Sequence, residues 1–176
     1  MSATTETMPQ ARVCDPGTGG RYVVAVESPF SDDVRALVAA LNEWALTQTP
    51  REFTHHMTVE QMAQIDTTVF IARDERGVAI GMGALKRHGG GLGEVKRMFT
   101  RPEARGLGLS RRIVEAIERV ARQEGLKRLA LETGAVTGFA PAWRVYERAG
   151  FSRCGAFLDY PADSPHNIYY EKHLTT

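Results

Sequence analysis

Between Glu94 and Arg122 the chain commits itself to a strand, a glycine turn and a helix with no linker between them. Glu94 to Thr100 reads as a strand, and Arg101 to Ala104 as a polar turn containing a proline. Arg105-Gly106-Leu107-Gly108 then runs straight into a helical pattern. Leu109, Ile113, Ile117, Val120 and Ala121 recur at intervals of three and four and share one face. The charged residues of this segment lie largely off that face, with Glu115–Arg119 and Glu118–Arg122 spaced one turn apart for pairing. A junction of this kind suits an anion. The first helical turn has backbone N–H groups without partners, which carry partial positive charge. Glycines just ahead of it let a ligand approach the backbone. Arg105, Arg111 and Arg112 add fixed charge. The competing reading is a βα turn whose glycines serve only tight packing.

Two phosphate-binding signatures are excluded. Gly106-Leu-Gly108-Leu-Ser-Arg111 lacks the third glycine of the dinucleotide fingerprint, and no Gly-Lys-Ser/Thr ending of a P-loop is present. The stretch resembles the acyl-CoA pyrophosphate loop of the GNAT family of N-acetyltransferases, Arg/Gln-x-x-Gly-x-Gly/Ala, here Arg105-x-x-Gly108-x-Ser110. The serine departs from the pattern but is small and keeps its N–H. The resemblance continues through Leu131-Glu-Thr-Gly134, Ala142-Trp-Arg-Val-Tyr146-Glu-Arg-Ala-Gly150-Phe151 and Tyr169-Tyr-Glu-Lys172, covering residues 21–174. It implies an α/β fold with a mixed, mostly antiparallel sheet of six to seven strands and about four helices on both faces.

The rest of the chain fits that order. Residues 1–20 are rich in Ser, Thr, Pro and Gly and read as a flexible tail, leaving 21–176 as one domain. Arg21 to Glu27 is the first strand. Val34, Leu37, Val38, Leu41 and Ala45 form a helical stripe, capped by Ser31 or Asp32 and ended by Pro50. Thr58-Val-Glu-Gln61 has the form of a capping box. Strands at 67–73 and 78–88 form a hairpin, and 127–132 a buried strand parallel to its predecessor. Pro141 opens a further helix, and 151–158 and 168–174 read as two closing strands. An exposed closing strand offers an edge through which two copies could pair as a homodimer. With 43% hydrophobic and 24% charged residues the chain is an ordinary globule, and a net charge of +1 argues against a general nucleic-acid or membrane binder. No apolar run reaches spanning length and no secretory signal is visible. Cys14 and Cys154 have no metal-ligand spacing, so no metal is expected and the setting reads as cytoplasmic.

Moving an acetyl group from a thioester to an amine requires a deprotonated amine, a polarised carbonyl and a proton for the departing thiolate. No covalent enzyme intermediate is needed once both substrates are held together. By resemblance, Tyr146 is the proton donor near the CoA sulfur; the alternative is a packed phenol bonded to backbone. Glu94, directly or through a water, is the candidate base, unless it only pairs with Lys96 or Lys86. Glu132 is its rival. The resemblance places the pantetheine arm of acetyl-CoA, the co-substrate, along Met98, Phe99 and Thr100. It gives the pyrophosphate to the loop of Arg105, Gly106, Leu107, Gly108, Leu109, Ser110 and Arg111. Many relatives carry an Asn seven residues before the tyrosine, where this chain has Phe139. His55, His56, Tyr160 and His166 are candidate acceptor contacts. The acceptor is expected to be a primary amine of a small molecule or peptide. The alternative is an acyl-CoA-binding sensor or interaction module without turnover.

Overall fold

The computed structural model describes residues 22–53 and 57–174. The tail at 1–20, and His55 and His56, lie outside the described residues. Seven strands, β1 (Tyr22–Val26), β2 (Thr67–Asp74), β3 (Ala79–His88), β4 (Leu92–Thr100), β5 (Arg128–Gly134), β6 (Ser152–Cys154) and β7 (Asn167–His173), form one sheet in the order β1-β2-β3-β4-β5-β7-β6. Among the described residues only β4 and β5 run parallel; every other neighbouring pair is antiparallel.

Among the described residues four α-helices cover the two faces: α1 (Asp32–Gln48), α2 (Val59–Met62), α3 (Leu109–Gln123) and α4 (Ala140–Arg148). The stripe Val34, Leu37, Val38, Leu41 and Ala45 is buried as the periodicity predicts, and α1 with α2 packs on Ile71, Met82 and Phe99. Thr58 and Gln61 close the expected capping box on α2. On the opposite face α3 buries Leu109, Ile113, Ile117 and Ala121 in a cluster shared with Tyr146 of α4. Among the described residues no helix is long and apolar enough to cross a membrane.

Two features of the sheet prepare the site. First, β4 and β5 pair only at Leu92–Glu94 with Arg128–Ala130 and then part company. The backbone edges of β4 beyond Glu94 and of β5 beyond Ala130 therefore face each other across a gap. Second, β4 carries an extra residue. Ala84 pairs with Lys96 and Met82 with Phe99, so Arg97 and Met98 together stand opposite Gly83. Arg97 has φ 55°, the positive value a bulge residue adopts. The insertion resets the alternation: Met98 goes to the α3 face, while Lys96 and Arg97 both point to the side covered by α1.

Gly83 makes room for the bulge. A Cβ there would sit 2.6 Å from both Met98 Sδ and Ile113 Cγ2. Gly83→Val should lower the unfolding free energy by about 1–3 kcal/mol through overpacking. A urea titration checks this, and an unchanged midpoint would show that α3 yields freely.

The closing strand is shorter than the sequence suggests. The expected strand at 151–158 is reduced to Ser152–Cys154, after which Gly155 leads into turns and Phe157 drops into a small core with Leu92, Ala130 and Tyr169. An edge of three residues presents few unpaired backbone groups to another chain.

Candidate active site

A cavity of about 790 Å³ runs through the gap between β4 and β5, reaching the N-terminus of α3 at one end and the C-terminal half of α1 at the other. Its α3 end is built from β4 outward. Arg101 N–H donates to Ile80 O, and a single turn, Pro102–Ala104, reverses the chain. Gly106 and Gly108 follow at φ +82° and +77°, values that L side chains rarely adopt. They turn the backbone so that α3 starts at once.

Among the described residues no backbone amide from Gly106 to Arg111 has a hydrogen-bond acceptor; the first to find one is Arg112, at Gly108 O, 3.2 Å away. Tyr22 of β1 holds the loop from outside, its hydroxyl donating to Leu107 O at 3.2 Å. Ser110, the departure from the family pattern, shares a 3.0 Å hydrogen bond with Thr100 and so ties the helix start to the end of β4. The expected loop residues line the cavity with one exception. Leu107 points to solvent and contributes its carbonyl to Tyr22.

Tyr146 lies on the inner face of α4, 6% exposed, and borders the cavity. Its hydroxyl makes no hydrogen bond among the described residues. The alternative of a phenol tied to backbone is therefore not what is observed. Burial, and then the charge of Glu132, push the phenol well above its usual range, so it keeps its proton. Trp143, on the same helix, donates to Gly134 O at 3.0 Å and fixes α4 against the end of β5.

Glu94 is 3% exposed on a central strand, with three donors around it. Lys96 Nζ and the Tyr160 hydroxyl donate to Oε1 at 2.9 and 2.5 Å, and His88 Nε2 meets Oε2 at 2.9 Å. Lys96 also donates to Tyr160 at 2.6 Å, closing a triangle. Burial alone would raise the Glu94 carboxyl. The Lys96 charge and the hydrogen bonds from Tyr160, Lys96 and His88 outweigh it and hold the carboxyl below the usual range. Lys86 is engaged elsewhere, 4.0 Å from Asp66.

Tyr160 is thus brought to the site from 66 residues away, but behind Glu94 and not in the cavity wall. His166 and Glu132 do line the cavity, and Glu132 accepts a hydrogen bond from the Asn167 amide. Phe139 covers Gly134, leaving no room for a Cβ there, and meets Trp44 of α1 edge-on at 4.8 Å between centroids, an apolar bridge at the edge of the cavity. Among the described residues no group of three or more His, Cys, Asp or Glu could hold a metal.

The sequence pattern of the Acetyltransferase (GNAT) family matches residues 38–151. The chain is 38% identical over 152 residues to an "IAA acetyltransferase" of Azospirillum brasilense, covering 86% of this chain and 97% of that one. The structure is similar to a proposed acyl-CoA N-acyltransferase of Klebsiella pneumoniae, with a TM-score of 0.71, 30% identity, and 88% and 98% of the two chains covered. A more distant likeness of fold is to a proposed streptothricin acetyltransferase of Bacillus anthracis solved with acetyl coenzyme A, with a TM-score of 0.57, 22% identity, and 69% and 70% covered.

Proposed function

The chain belongs to the acetyltransferase (GNAT) family and is an acetyl-CoA-dependent N-acetyltransferase, and from that premise we propose how its residues divide the work. The observation that carries the reading is the coincidence of three things in one cavity. These are a pair of parted parallel strands, a run of unbonded amides at 106–111, and an unbonded, protonated phenol between them.

The amides of Gly106 to Arg111, with Arg105 and Arg111 beside them, take the diphosphate of the co-substrate. The β4 edge from Met98 through Phe99 to Thr100 takes the pantetheine arm as an added strand, since β5 has left that edge free. Tyr146 then faces the sulfur. As the amine attacks the thioester carbonyl, the C–S bond breaks and the phenol hydrogen-bonds to, and delivers a proton to, the departing sulfur. The proton lost by the amine leaves through a water to Glu94, with Glu132 as the other carboxylate within the cavity. Lys96, Tyr160 and His88 hold Glu94 as an anion before the reaction, the form that can take up that proton. The acceptor is a primary amine of a small molecule or peptide, His166 is a wall against which it rests, and the cytoplasm is the setting we propose. The short β6 edge gives a homodimer little to pair with.

The test is release of free thiol from acetyl-CoA over a panel of amines. Coenzyme A binding without thiol release from any amine would favour a non-catalytic sensor. Free CoA at a hundred times its Kd should add about 2.7 kcal/mol to the unfolding free energy. Gly108→Val should lose most of that ligand-induced gain, because φ +77° excludes a branched side chain and the amides move with the backbone. A thermal melt with and without CoA reads the gain directly, and an undiminished gain in the variant would overturn the loop assignment.

A further inference from the structure

Two polar groups along the cavity have no part in the chemistry above. Among the described residues only two buried side-chain atoms lack a hydrogen-bond partner, Arg97 Nε and Thr49 Oγ1, and both residues line this cavity. Arg97 is 9% and Thr49 5% exposed. The guanidinium is held from one side only. Its Nη2 donates to Asn42 Oδ1 at 2.6 Å and lies 3.5 Å from Val38 O, and both of these partners are neutral. Burial without an anion brings its pKa down to about 10. A buried cation left in this state is costly unless something anionic completes it.

The geometry says which ligand would do so. Val38, Asn42, Ala45 and Thr49 follow one another on a single stripe of α1, with Thr49 about 10 Å beyond Asn42 along the axis. This stripe lies on the face opposite α3, so the diphosphate loop is served from the other side of the sheet. The same wall holds two carboxylates, Glu94 and Glu132. A guanidinium without an anionic partner among the described residues, in a cavity that also holds two carboxylates, matches a molecule with one anionic and one cationic end.

Resting on the acetyl-transfer reading, we propose that Arg97, on the α1 side of the cavity, binds a carboxylate of the acceptor, so that the substrate is an amino-acid-like amine. The planar fork of Arg97 accepts a carboxylate in a fixed orientation. The amine end is thereby directed toward Glu94 and Glu132. Trp44 and Phe139 form the apolar wall between.

The experiment compares matched pairs that differ only in the carboxylate: L-phenylalanine with 2-phenylethylamine, and L-leucine with 3-methylbutylamine. Affinity is read by calorimetry in the presence of CoA, and kcat/KM by thiol release from acetyl-CoA. The native chain should favour the amino acid by about 10- to 100-fold in both readouts, the range of a charge-assisted hydrogen bond. Arg97→Gln should remove that preference and leave the affinity for the simple amine within about threefold. The CoA-induced melting shift should be unchanged, and Arg97→Lys should keep part of the preference. Equal treatment of the pair by the native chain would overturn the proposal. So would a preference that survives Arg97→Gln, or a loss of CoA binding in that variant. Absence of thiol release with every amine would instead sink the acetyl-transfer reading, while the calorimetric comparison still decides the carboxylate site.

Discussion

Tyr146→Phe should lower kcat by about 10²- to 10³-fold while leaving the KM for acetyl-CoA and the melting temperature nearly unchanged. The ring is packed against Phe151 and Tyr170, at centroid distances of 6.1 and 6.0 Å, and phenylalanine preserves those contacts. The hydroxyl lost has no hydrogen bond among the described residues, so its removal strands no partner. A purely structural phenol would therefore show almost no phenotype, and a donor to the leaving sulfur a large one. Single-turnover thiol release separates the two. An acetyl thioester of a CoA analogue with a more acidic thiol should recover part of the lost rate, because such a sulfur needs the proton less. A variant that keeps more than about a third of its kcat would return Tyr146 to the core, since a lost general acid is expected to cost far more.

Glu94→Ala should be the most destabilising single change at the site. Lys96, with its side chain 15% exposed, would keep its charge and lose the carboxylate 2.9 Å away. Removing one partner of a buried pair costs about 3–5 kcal/mol, a large part of the 5–15 kcal/mol that holds a typical domain together. Glu94→Gln, which keeps the shape, should cost less and separates folding from catalysis. The effect should depend on pH in a definite direction. The Glu94 carboxyl lies lower in the fold than in the unfolded chain, where it titrates at about 4.5. Its contribution is therefore complete above that value and is lost as pH falls through the lower folded one. The stability gap between the native chain and Glu94→Gln should be constant from neutral pH to about 5 and narrow below about 4. Urea titrations at several pH values measure the gap. A gap that does not narrow in acid would mean that the contacts of Glu94 act by shape and not by charge.

Local patterns in the sequence carried the helices and the loop. The α1 and α3 stripes, the Thr58–Gln61 box and the glycines at 106 and 108 are all short-range features, and each lies where its spacing predicts. Residues joined only by folding left no such trace. Tyr160 and Glu94 are 66 positions apart, and nothing near either announces the other. Tyr160 was legible as a site residue only through its place in a turn-rich loop, and it became a support for Glu94 and not a wall of the cavity. His88, Tyr22 and Trp44 were missed for the same reason, whereas Lys96, two residues along the same strand, is the pairing partner the sequence offers for Glu94. The bulge was invisible because one extra residue in a nine-residue strand does not disturb an already irregular alternation. The overlong closing strand has the converse cause: apolar residues at 156 and 157 look like strand but serve the small core above β5 and β7.

The extra residue in β4 separates what the sheet requires from what the cavity uses. Without Arg97, Met98 would face Gly83 and Phe99 would keep Met82, so the ladder would close with no gap and no residue forced to positive φ. A chain shortened by that one position should fold at least as readily as the original, with the same side chains on both layers. It would lack only the guanidinium under α1. The length of β4 is thus set at this one position by the cavity and not by the sheet.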